Sequence, residues 1–171
     1  KNRLVNHFVR FVREIRPPLF LMENVLGFKS IAQGKVVQSL RVRFSQLGYK
    51  TKLVTLNAAS YGVPQRRLRV FLIGSKDGKK FQEPFPQYGI SDRKPFVTVE
   101  EAIIGDLPNL IPPGSNVNNY ANSSTTSYQL KIRGRTDKLY NHIATRNGKA
   151  VHKRKSFVPI GGNWKDVPKE F

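Results

Sequence analysis

The sequence predicts an α/β fold: the back half of a doubly wound sheet, followed by a mostly irregular, strongly basic region with some β structure. Three observations predict it. Residues 1–16 and 31–46 repeat apolar side chains at three- and four-residue intervals, the signature of helices with one buried face. Short runs at 19–25, 51–57 and 69–74 have the length and apolar content of strands. Beyond residue 76 both patterns give way to polar sequence punctuated by proline and glycine.

In the first helix Leu4, Phe8, Phe11 and Ile15 form the apolar stripe, and Val5, Val9 and Val12 widen it. Arg3, Arg10, Arg13 and Arg16 fill much of the rest. Pro17-Pro18 ends it, because a proline disfavours helical geometry in the residue before it. The run Leu19-Phe20-Leu21-Met22, ending at Glu23-Asn24-Val25, reads as a strand buried on both faces, as in a parallel sheet. The second helix, Ile31 to Gln46, turns Val37, Leu40, Phe44 and Leu47 inward, with Gly48 as its stop. Strands at 51–57 and 69–74 follow. Residues 77–97, with Pro84 and Pro86, read as a linker across the surface. Thr98 to Ile103 reads as a short helix with Thr98 as N-cap and Glu101 closing a capping box. Residues 112–128 are rich in Gly, Ser, Asn and Thr and are expected to form a mobile loop. The organisation expected is therefore 1–76, a linker over 77–97, and a second region over 98–171.

Composition narrows the function. The chain has 171 residues, with 30 Lys and Arg against 11 Asp and Glu, a formal charge of +19. That excess calls for a polyanionic partner and argues against an ordinary acidic metabolic enzyme. No apolar run approaches the roughly 20 residues of a membrane span. There is no cysteine, which removes disulfides, thiolate metal sites and a cysteine nucleophile from these residues. His7, His142 and His152 have no metal-ligand spacing, so no metal site is assigned. No glycine-rich phosphate or dinucleotide loop occurs.

Two segments could carry chemistry. Glu23 and Asn24 stand at the carboxyl end of an apolar strand, where open α/β sheets place their ligand crevice. A glutamate there serves as an acid or base, or simply caps a turn or pairs with an arginine; position alone leaves both open. Tyr61 to Arg69 is a turn feeding a strand, and if the strand begins at Arg69, Arg67 and Arg69 share one face. Two guanidiniums there grip a phosphate, a base edge or a carboxylate, or remain a solvated basic turn. Farther on, Lys131, Arg133, Arg135, Lys138, Arg146, Lys149, Lys153, Arg154 and Lys155 form a cationic tract suited to backbone phosphates. Gly161-Gly162-Asn163 could let the backbone approach a polyanionic partner closely, and Trp164 is expected to be a packing anchor.

The pairing of segments supplies a resemblance. Phe20-Leu-Met-Glu-Asn-Val25, followed by Asn57-Ala-Ala-Ser-Tyr-Gly-Val-Pro-Gln-Arg-Arg-Leu-Arg-Val-Phe-Leu-Ile-Gly74, closely resembles the DNA cytosine-5 methyltransferases, in their Glu-Asn-Val and Gln-x-Arg-x-Arg motifs. Thr98 to Pro108, Asn141-His142 and Phe157 to Pro168 are similar to later segments of that family, in the same order. The resemblance implies a Rossmann-like methyltransferase sheet, then the start of a target recognition domain. It implies transfer of a methyl group from S-adenosylmethionine to C5 of a flipped-out cytosine in duplex DNA, in a bacterial restriction-modification system, hence a cytoplasmic, nucleoid-associated protein. By the same resemblance Glu23 and Arg69 would be catalytic, and Asn24, Gln65 and Arg67 would line the substrate site. Arg66, Arg133, Arg135, Lys153, Arg154, Lys155, Gly161, Gly162 and Asn163 would meet DNA. The family's Pro-Cys nucleophile and cofactor motif are absent from these residues, so a further segment or second chain would supply them, and this chain alone is expected to be inactive. A transfer-RNA cytosine methyltransferase and a non-catalytic DNA-binding remnant are the alternatives.

Overall fold

A computed structural model describes residues 3–77, 81–89, 93–108, 110 and 117–171. The chain forms two compact units, Lys1–Ala102 and Ile103–Phe171.

In the first unit, helix α1 spans Arg3–Ile15. Arg16 then turns left-handed at φ 50° before Pro17-Pro18, so the helix stops where the prolines predict. Strand β1 covers Leu19–Val25, helix α2 Lys35–Gln46, strand β2 Lys50–Asn57 and strand β3 Leu68–Ser75. Gly48 ends α2 with φ +86°, a conformation open to glycine because it has no Cβ. The expected start of the second helix at Ile31 is corrected. Residues Leu26–Gly34 form an irregular 3-10 segment, broken by left-handed Ala32 and Gln33, and the α-helix begins only at Lys35.

The sheet order is β1-β3-β2, and β3 runs antiparallel to both neighbours. β1 and β2 thus point the same way with a reversed strand between them. The expectation of a parallel, doubly covered β1 is corrected by this arrangement. Phe20 and Met22 enter the core with Val9 and Val12 of α1, Val37, Leu40 and Phe44 of α2, Tyr49 and Leu72. Phe20, Phe44, Phe8 and Tyr49 form an aromatic cluster, with Phe20 and Phe44 ring centres 4.3 Å apart. Alternate residues Leu19, Leu21, Glu23 and Val25 point to the opposite face and are exposed. β1 is also a sheet edge, so among the described residues it carries one uncovered face and one unpaired side.

The stretch 81–89 of the expected linker is bonded along the first unit. Gln87 and Tyr88 donate backbone N–H bonds to the Ser60 carbonyl at 2.9 and 3.2 Å, and Tyr61 Oη donates to the Pro84 carbonyl at 3.0 Å. Lys52 pairs with Glu83 at 2.7 Å. Gly62 is needed here, because a Cβ would press on the Tyr88 ring at 2.9 Å. Residues 78–80 and 90–92 of the expected linker lie outside the described residues. Helix α3, Val99–Ile103, carries the predicted capping box: Glu101 N–H donates to Thr98 Oγ1 at 3.0 Å, and Thr98 N–H donates to Glu101 Oε2 at 2.8 Å.

In the second unit, strands β4 (Val117–Asn119) and β5 (Lys138–Tyr140) pair antiparallel, and helices α4 (Ser127–Arg133) and α5 (Lys149–Ser156) flank β5 in sequence. The expected loop over 112–128 is therefore partly structured; its residues 112–116 lie outside the described residues. A second capping box starts α4, in which Thr126 receives the Gln129 N–H. Buried Gln129 also accepts from Thr125 N and donates to the Ile104 carbonyl, tying the chain before the helix to the helix itself. No helix among the described residues is long and apolar enough to cross a membrane.

Candidate active site and nucleic-acid interface

The register of β1 on β3 brings the two expected catalytic residues together. Glu23 lies opposite Phe71 and Arg69 opposite Val25, so Glu23 and Arg69 are diagonal neighbours on the same face. Long side chains reach across that diagonal. Arg69 Nε meets Glu23 Oε1 at 2.8 Å, while Arg69 Nη1 donates to the Leu68 carbonyl at 2.9 Å. The guanidinium is thereby oriented by its own backbone as well as by the carboxylate. The Glu23 side chain is 48 % exposed and that of Arg69 24 %. The pair is open to a ligand, on the face that β1 leaves uncovered. Asn24 Oδ1 accepts the Val25 N–H at 2.9 Å, which fixes the strand end immediately after Glu23.

Arg67 does not join this pair. β3 begins at Leu68, and Arg67 stands in the preceding turn, where its N–H donates to Asn57 Oδ1 at 3.1 Å and its carbonyl accepts from Ala58 N at 3.0 Å. The period-two argument for Arg67 and Arg69 therefore stops at the first residue of the strand. Gln65, Arg66 and Arg67 are exposed along the turn. Asn57 is the residue that sequence reasoning missed. Its side chain caps Ala58–Tyr61 and receives Arg67, so one amide sets the path of the whole arginine turn. An asparagine at the end of a strand pattern was the signal available.

In the second unit the cations separate into two kinds. Arg133 is committed internally: Nη1 donates to the Asn122 carbonyl at 2.7 Å, Nε to the Thr136 carbonyl at 3.1 Å, and Nη2 to Asp137 Oδ1 at 3.0 Å. Its guanidinium also lies 4.0 Å from the Tyr120 ring centre. These contacts use three of the guanidinium's five N–H donors and leave the side chain 13 % exposed, so the structure gives Arg133 an internal role beside the DNA contact expected of it. Arg135 is exposed, as are Lys153, Arg154 and Lys155 in the last turn of α5. Cations there also complement the negative end of the helix dipole.

The Gly161–Asn163 turn has a local task. Gly161 is left-handed at φ +79°, and a Cβ on Gly162 would collide with Pro159 and Asp166. The Asn163 side chain accepts from Lys165 N, while Asp166 Oδ2 accepts from Asn163 N at 2.6 Å. Trp164 follows with 76 % of its surface exposed, which corrects its expected role as a packing anchor. Phe157 and Phe171, on either side of it in the sequence, stack on each other.

Among the described residues no three His, Asp or Glu side chains gather as a metal site would require.

Comparison with known proteins decides the family. The model of the C-5 cytosine-specific DNA methylases matches residues 1–167. The chain belongs to this family. Among its relatives, the Type II methyltransferase M.AgeI of Thalassovita gelatinovora is 35 % identical over 167 residues, covering 85 % of this chain and 39 % of that protein. The Type II methyltransferase M.DdeI of Desulfomicrobium norvegicum is 35 % identical over 176 residues, covering 99 % of this chain and 42 % of that protein. This C-5 cytosine methylase chain thus spans about two fifths of those relatives. A crystal structure of a candidate DNA modification methyltransferase from an E. coli prophage matches with a TM-score of 0.65 at 23 % identity, over 92 % of this chain and 50 % of that one. That likeness is one of fold.

Proposed function

We propose that this chain is the back half of a DNA cytosine-5 methyltransferase, with residues 1–76 belonging to its catalytic domain, 77–97 to a linker and 98–171 to the start of its target recognition domain. The observation that carries the reading is the Glu23–Arg69 pair, held across β1 and β3 on an open face. In this reading the target cytosine leaves the duplex, since a stacked ring cannot be reached above and below its plane. Attack at C6 drives electron density onto the ring. Glu23 shares a proton with N3 and accepts from the exocyclic amino group, and Arg69 places its cation at O2; both lower the barrier where charge develops. Asn24 holds the strand end that presents Glu23. Gln65, Arg66 and Arg67 follow the DNA strand beside the site. Arg135, Lys153, Arg154 and Lys155 meet phosphates, with the Gly161–Asn163 turn close to the backbone.

S-adenosylmethionine would supply the methyl group, bound mainly by residues outside this chain, and the cysteine nucleophile would come from outside it too. The uncovered face of β1 supports that division: exposed Leu19, Leu21 and Val25 flank Glu23 beside an unpaired strand edge. An edge of that kind calls for another strand. By analogy with the Type II relatives, the assembled enzyme would act in a bacterial restriction-modification system in the cytoplasm, close to the nucleoid.

The test uses the assembled enzyme. Glu23→Gln should lower single-turnover methyl transfer by about 100-fold or more, within the range for a positioned acid or base. Duplex affinity should change little. Equal losses in affinity and rate would show that Glu23 supports structure rather than chemistry.

A further inference from the structure

We propose that the cleft beside Trp164 holds an unstacked nucleotide of the DNA, with its base on the indole and its phosphate on the cationic rim. This rests on the DNA-binding reading above and adds a second base-holding place, in a unit that does not contain Glu23.

The cleft has a volume of about 660 Å³, within the ~300–1,000 Å³ usual for small-ligand pockets. Trp164 and Phe171 supply its aromatic wall, and Arg154, Lys155, Lys165 and Lys169 stand around it. The sequence order explains the arrangement. The basic last turn of α5 brings Arg154 and Lys155 to one side. The capping box of Asn163 and Asp166 fixes the short 3-10 turn that presents Trp164 and Lys165 on the other.

Two features point to a nucleotide rather than an apolar peptide. First, cations predominate. Four line the cleft, against the carboxylates of Asp166, which accepts the Asn163 N–H, and Glu170, and none of the four is in an ion pair among the described residues. Second, the aromatic surfaces differ in availability. Phe171 is stacked on Phe157 with ring centres 4.9 Å apart, and Lys153 Nζ lies 4.2 Å from its centre. The Trp164 indole is left as the broad exposed plane. An exposed aromatic plane with cations lining the same cleft is the combination that binds unpaired nucleotides. A fully paired duplex offers the phosphates but keeps its base faces covered.

Trp164 is the sole tryptophan of the chain, so its emission reports on this cleft alone. The experiment follows two signals as the 171-residue chain is titrated: fluorescence anisotropy of a labelled oligonucleotide, and Trp164 emission. The probes are a plain duplex, the same duplex with a one-nucleotide bulge, and a single strand. Bulged and single-stranded DNA should quench Trp164 saturably, with the midpoint given by anisotropy, whereas the plain duplex should bind with little quenching. Trp164→Leu should weaken binding of the bulged duplex by about tenfold, in the lower part of the range for one base–aromatic stack. It should leave plain-duplex affinity nearly unchanged, and Trp164→Phe should retain most of the bulge preference.

Binding seen by anisotropy with no change in Trp164 emission would overturn the cleft proposal and leave the DNA-binding reading intact. Absence of binding to every probe would overturn both. Equal weakening of plain and bulged duplex by Trp164→Leu would assign the residue to structure. Emission that shifts with protein concentration in the absence of DNA would make a second copy of the chain the occupant, against the proposal.

Discussion

Gly74→Ala probes how tightly the core of the first unit is closed. Gly74 sits in the central strand β3, directly opposite Phe20 of β1. A Cβ built at this position would overlap the Phe20 ring. The ring cannot swing away, because Phe8, Phe44 and Tyr49 surround it with centres 4.3–5.8 Å distant. Overpacking of this kind costs about 1–3 kcal/mol. Alanine restricts the unfolded chain and returns about 0.4–1 kcal/mol. The net loss expected is about 1–2 kcal/mol, or about 5- to 30-fold in the folding equilibrium. Urea unfolding followed by far-ultraviolet circular dichroism measures it as a lower midpoint at unchanged slope. In a Phe20→Leu background the same change should cost less than about 0.5 kcal/mol, since the two sites are in contact and couple. A neutral or stabilising Gly74→Ala, or an equal cost in both backgrounds, would refute the reasoning.

Phe44→Ala, at the fully buried centre of the same cluster, should cost about 3–5 kcal/mol in the same unfolding assay. Tyr49 is buried and donates to the Pro17 carbonyl at 2.7 Å; burial raises its pKa, with nearby Arg16 opposing. The unfolded chain therefore releases this proton first, and stability should fall as pH climbs above about 10. Tyr49→Phe should remove that part of the alkaline slope, which a pH series of melting curves would show. Lys153→Ala with Arg154→Ala should make the dependence of log affinity on log salt shallower by about 2 if both neutralise phosphates, as measured by anisotropy at several ionic strengths. Arg133→Ala should lower the stability of the second unit and leave that slope unchanged, because its guanidinium serves Asn122, Thr136 and Asp137.

Periodicity carried the first unit a long way. The spacing of Val37, Leu40 and Phe44 marks the buried face of α2, and the expected strands at 51–57 and 69–74 lie within one residue of those observed at each end. Strand direction and order were not legible, because an apolar run contains no statement of its partner. Leu19 to Met22 reads the same whether both faces are covered or, as here, Phe20 and Met22 are buried while Leu19 and Leu21 are exposed. The irregular Leu26–Gly34 segment escaped for a related reason: its left-handed Ala32 and Gln33 are residue types with no turn signature.

At the site, residue types at the strand ends indicated Glu23 and Arg69 separately, and the family motifs joined them. The geometric reason they meet is the β1–β3 register, a long-range property no local pattern holds. In the second unit, charge alone could not divide Arg133, with its internal partners, from Arg154 and Lys155, which rim an open cleft. Nor could composition show that Phe157 and Phe171 would pair and leave Trp164 exposed.

The most direct test of the central claim is the identity of the methylated nucleoside. Duplex DNA would be incubated with labelled S-adenosylmethionine and either this chain alone or the chain assembled with the cysteine-bearing remainder, then digested to nucleosides and separated. The account predicts label in 5-methylcytosine from the assembly and none from the chain alone. Label on an exocyclic amino group, or transfer by the 171-residue chain without any cysteine, would contradict it.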